Sequence, residues 1–146
     1  MRDPRFDRLA EILTGYSTEL KRNEKVLIEA FDAPDEMTIA LVRAARKRGA
    51  TPFVQLQRAP VSRELALQAT EPQLRLLVRH ELARMKQMNA YIAVRGSHNI
   101  TEQADVPTGR MKLIAKKMRP IQDHRVQKTK WVVLRWPTQP WPSSPA

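Results

Sequence analysis

The chain has 146 residues, no cysteine and a formal net charge of +11, set by 26 Lys and Arg against 15 Asp and Glu. That length fits a single folded domain, and the lack of thiols excludes disulfide frameworks, thiolate zinc sites and cysteine nucleophiles. No window approaches the roughly 20 apolar residues of a spanning helix, and Met1-Arg2-Asp3-Pro4-Arg5 opens a charged stretch unlike a secretory leader, so a cytoplasmic setting without membrane attachment is expected.

The first predicted element runs from Asp3 to Leu20, where Phe6, Leu9, Ile12, Leu13, Tyr16 and Leu20 fall at near-helical spacing. Asp3 suits the N-cap and Pro4 the first helical position. After the polar break Lys21-Arg22-Asn23-Glu24, the run Lys25–Phe31 is apolar, short and bounded by turn-formers, as a buried strand should be. Asp32-Ala33-Pro34 then offers a cap and a proline start for a helix that shows Met37, Leu41, Val42 and Ala45 on one face. It stops at Arg46-Lys47-Arg48-Gly49. Thr51–Gln57 reads as a second strand, and the alternation of helix and strand favours parallel pairing.

Two helical stretches follow, Arg63 to Ala69 and a longer one from Glu71 through Leu74, Leu77, Val78, Leu82 and Met85. Asn89–Gly96 is the third strand, ending in a Gly96-Ser97-His98-Asn99 loop of the kind that carries binding residues in α/β sheets. Thr108 to Lys128 has a helical pattern in which Pro120 is expected to kink or divide the element. Lys130–Trp136 is the fourth strand. The segment 137–146 has four prolines in ten residues and reads as a loose tail, which sets a domain at 1–136. The fold class is therefore α/β, a three-layer domain with a mostly parallel four-stranded sheet and helices on both faces.

Few residues suggest chemistry. His80-Glu81 starts a zinc-helix pattern, but the second ligand position holds Arg84. Ser97 beside His98 lacks the strained elbow of a serine nucleophile, and the four glycines form no phosphate-binding loop. Catalytic, cofactor-binding and metal residues are thus all expected to be absent. Excess charge concentrates in Arg110 to Lys130, with eight basic residues against Asp123 alone. Lys112, Lys116, Lys117 and Arg119 mark a surface for a polyanion or for another domain, and the lack of interleaved aromatic residues disfavours nucleic acid.

Several blocks in order resemble the aminopeptidase T family of metallo-aminopeptidases. They are Asp3–Ala10 with Tyr16-Ser17, Asn23–Ile28, Lys47–Val54, Asn89–Val94 followed by Asn99, Lys116–Ile121, and Lys130-Trp131-Val132 with Trp136-Pro137-Thr138. Together they cover about residues 3 to 139, although Asn89 and the stretch 139–146 depart from the family pattern. The resemblance implies a cytoplasmic exopeptidase that releases amino-terminal residues with two divalent metal ions of zinc, cobalt or magnesium type. Its ligands, glutamates, histidines and an aspartate, belong to a later domain and match no position here. The expectation is a non-catalytic amino-terminal domain whose candidate partners are a catalytic domain, a second copy in a homodimer, and peptide only in the full-length enzyme. The alternatives are a free-standing basic module for nucleic acid or another polyanion, and a structural fragment without an independent role.

Overall fold

A computed structural model describes residues 3–96 and 106–136. Helix α1 (Pro4–Glu11) starts as its sequence dictates, with the Asp3 carboxylate accepting from the Arg5 N–H at 2.9 Å and proline in the first turn. The expected continuation to Leu20 is not α-helical. From Ile12 to Ser17 the chain winds as a π-helix, and Leu20 lies buried beyond it. Threonine hydroxyls and the wider hydrogen-bond pattern close this turn: Thr14 Oγ1 donates to the Ala10 carbonyl at 2.9 Å, Thr18 Oγ1 to that of Leu13 at 2.8 Å, and the Thr18 N–H to the same Leu13 oxygen at 3.2 Å.

The remaining elements are β1 (Lys25–Phe31), α2 (Asp35–Lys47), β2 (Thr51–Gln57), α3 (Ala59–Leu67), α4 (Glu71–Met85), β3 (Ala90–Gly96), α5 (Thr108–Lys128) and β4 (Lys130–Trp136). Three differ from expectation. Asp32 does not cap α2, which starts after Pro34; with φ at 54° its carboxylate turns instead to the Ala59 N–H, at 3.1 and 3.2 Å, and so holds the start of α3. That contact, with Pro60 in the first turn, is why α3 begins at Ala59 rather than Arg63. Pro120 does not divide α5. It is exposed, as is Lys116, whose carbonyl it deprives of a donor, while Ile121 beside it is buried and anchors the helix. The predicted loop residues Ser97, His98 and Asn99 and the tail 137–146 lie outside the described residues.

All three strand pairings are parallel, in the order β2-β1-β3-β4. Alternation along β1 divides the core. Val26 and Ile28 pack with Met37, Leu41 and Ala45 of α2 and with Ala10 and Leu13. On the other face, Leu27 joins Tyr91, Ala93, Met85, Met88 and Ile121, under α4 and α5. Phe6 meets Trp136 edge to face at 5.2 Å, tying α1 to the far strand.

The amino ends of three strands are clamped by one residue. Asn89 donates its N–H to the Lys25 carbonyl at 2.8 Å, accepts the Lys25 N–H on Oδ1 at 2.8 Å, and accepts the Lys130 N–H on its own carbonyl at 3.0 Å. Nearby, Glu24 Oε1 accepts from Lys130 Nζ at 2.6 Å and from the Lys21 N–H at 2.7 Å. Burial opposes the charge on Glu24, but these donors outweigh it and hold its carboxyl below the usual carboxylate range.

Candidate functional site

Within the apolar run of β1 one position is charged, and the alternation that sends Val26 and Ile28 toward α2 sends Glu29 toward α4 and α5. Glu29 is 4% exposed. A carboxylate there needs partners, and three elements supply them. Tyr91 Oη of β3 donates to Oε1 at 2.6 Å, Arg125 of α5 approaches the same oxygen at 3.3 Å, and Gln57 Nε2 of β2 donates to Oε2 at 3.4 Å. The Arg125 guanidinium also lies 4.2 Å from the Tyr91 ring centroid. Burial, then the Glu29 charge, pushes the Tyr91 hydroxyl well above its ordinary range, so it stays a donor. Glu81 of α4 is also pushed up, by burial first and then by Glu29.

Two carboxylates, a phenol and a guanidinium form an arrangement that can support acid and base steps. Glu29, Tyr91 and Arg125 are partnered within the cluster, however, and Glu29 has hydrogen bonds on both oxygens, while Glu81 meets the others through its charge alone. The cluster fastens α5 and three strands together. Its one sequence signal is an acidic residue inside an apolar strand; the partners, 62 and 96 residues away for Tyr91 and Arg125, have no recognisable spacing.

The four basic residues singled out in the sequence do not form one surface. Lys112, Lys116 and Arg119 are exposed at spacings that place them along one side of α5. Lys117 points away from that stripe, with Nζ 3.7 Å from Glu71 Oε1 of α4. Among the described residues no group of three or more His, Asp or Glu side chains is placed to hold a metal ion. His80 is exposed on α4, and Glu81 has basic neighbours in Arg125 and Arg84. The described donor set therefore does not fit a divalent metal. Three surface cavities border α2, away from the Glu29 cluster.

A doubly wound parallel sheet, with α1 and α2 on one face and α4 and α5 on the other, defines the class as a three-layer α/β domain. The chain belongs to the thermophilic metalloprotease (M29) family, whose model matches residues 2–145. Among solved structures, wild-type AmpT from Thermus thermophilus is similar, with a TM-score of 0.72 and 20% identity over 91% of this chain and 36% of that one. This chain thus spans little more than a third of the length of AmpT. A protein described as a putative LacI-family transcription regulation repressor from Corynebacterium glutamicum matches at a TM-score of only 0.39 and 11% identity, over 89% of this chain and 59% of that one. Comparison with curated proteins gives no match. Among the described residues no helix is long and apolar enough to cross a membrane.

Proposed function

We propose that this chain is the non-catalytic amino-terminal α/β domain of a metal-dependent aminopeptidase, which releases amino-terminal residues from peptides with divalent metals bound in another domain. The observation that carries the reading is the coverage of the comparisons. The family model extends over residues 2–145, while the fold coincides with only 36% of AmpT. The described residues also bring together no set of metal donors. In this reading the domain joins subunits or shapes the approach to the metals, and the exposed stripe of Lys112, Lys116 and Arg119 is a contact for the catalytic domain. Base-stacking aromatic residues are missing from that stripe, which weighs against nucleic acid.

The test is direct. The purified chain is assayed on a panel of aminoacyl chromogenic substrates with zinc, cobalt or magnesium, and its metal content is measured after desalting. The expected result is neither turnover nor stoichiometric metal. Turnover that copurifies with the chain, or one or more equivalents of metal retained, would overturn the assignment.

A further inference from the structure

The π-helical turn, the loop into β1 and the carboxyl end of α2 border an open surface cavity of about 770 Å³. Four cationic residues line it, Lys21 and Arg22 from the loop and Lys47 and Arg48 from the end of α2, against the single carboxylate of Glu11. Glu11 lies 3.6 Å from Lys47. The end of α2 adds a partial negative charge of about half a unit, enough to justify one basic residue there. Subtracting both leaves about +2.5 elementary charges around one cavity. Glu24 is near enough to Lys21 to feel its charge, but its carboxylate is already taken by Lys130 and the Lys21 N–H.

Arg48 is held in place rather than free in solvent. Its Nε donates to the Leu20 carbonyl at 2.9 Å, and its Nη1 passes so close to Gly15 that a Cβ there would lie 3.2 Å from it. Gly15 sits within the π-helical turn, a distortion that recurs at functional sites. Arg22 packs on Gly49, its Cγ 3.0 Å from where a Cβ would stand. Neither Arg22 nor Lys21 has an ion-pair partner among the described residues. The glycines thus seat two arginines at a cavity whose size suits a small ligand.

From this arrangement we infer that the cavity binds a small multivalent anion carrying phosphoryl groups. A planar carboxylate is saturated by one coplanar arginine fork, whereas a phosphoryl group fans its oxygens in three dimensions and can be met from both the loop and the helix end. The site is independent of the aminopeptidase reading and of the α5 stripe.

Pyrophosphate is titrated into the full chain by calorimetry at moderate salt, with citrate and inorganic phosphate in parallel. Saturable one-to-one binding of pyrophosphate is expected, at least tenfold tighter than citrate. R22Q and K47Q, both at exposed positions, should each weaken it about tenfold, the scale of one charge-assisted hydrogen bond, with unchanged melting temperatures. The double variant K112Q/K116Q on α5 should bind as the parent does. No saturable heat, equal affinity for citrate, or equal losses in the α5 variant would overturn the inference. The last result would mark the binding as a response to net charge.

Discussion

Replacing Arg125 with methionine nearly conserves side-chain volume and removes a charge from a place where it is scarcely solvated. The Arg125 side chain is 14% exposed and that of Glu29 5%, with 3.3 Å between them. Taking one partner from a buried pair costs about 3–5 kcal/mol, because the other charge is stranded, and loss of the stacking on Tyr91 adds to it. Tyr91 and Gln57 still donate to Glu29, so the lower end, about 3 kcal/mol, is the better figure. For a domain of this size that is a fall in melting temperature of about 10 °C. Urea unfolding followed by tryptophan fluorescence measures it, and E29Q/R125M separates the causes. If the stranded charge dominates, the double variant recovers much of the loss, giving a coupling of about 2 kcal/mol between the two positions. An R125M melting within 2 °C of the parent, or a double variant whose loss is the sum of the singles, would refute the view that this pair fastens α5 to the sheet.

Glu81 gives a pH-dependent test. Burial and Glu29 raise its pKa above the ordinary 4.5, so its contribution to stability is complete below that value and is lost as pH rises through the raised one. E81Q, a mimic of the protonated form, should match the parent near pH 4 and exceed it slightly at pH 7, by less than about 1 kcal/mol given its partial exposure; a variant less stable at pH 7 counts against this. Gly49 stands at φ 78° with Arg22 Cγ 3.0 Å from the site of a Cβ. G49A should therefore cost about 1–2 kcal/mol in chemical unfolding, and a neutral or stabilising result would mean that the α2–β2 turn relaxes freely.

The strands were legible because each is a local event. Lys25–Phe31, Thr51–Gln57 and Lys130–Trp136 are short apolar or alternating runs between turn-formers, and the structure keeps those bounds. The alternation of helix and strand already favoured the parallel pairing that the sheet has, whereas strand order depends on which edges meet, which no window of sequence contains. The helix through Tyr16 looked uninterrupted because apolar spacing does not distinguish an α from a π turn, whereas the Thr18 N–H and hydroxyl, both reaching the Leu13 carbonyl five residues back, do. Asn89 stood out as a departure from the family pattern. Its place explains the tolerance, since the contact with the Lys25 N–H asks only for a short side chain with an acceptor oxygen. The basic residues of α5 were visible as a cluster, but spacing alone did not show that Lys117 turns to Glu71.

A central strand needs two neighbours, and here they come from segments far apart in the chain. β1 can join β2 within one crossover, but its other edge pairs with β3, and Arg125 lies 96 residues beyond Glu29. In any state in which β1 and β2 have paired before the later segments dock, the pair would present an open edge and an uncovered face, the condition in which apolar strands associate wrongly. In that state Glu29 is an unneutralised charge in the middle of the exposed strand, and a foreign strand that covered it would have to bury it without a counterion. The carboxylate that locks the native packing would thus also guard such a half-formed sheet, and E29Q is expected to refold with more aggregation even where the finished fold tolerates it.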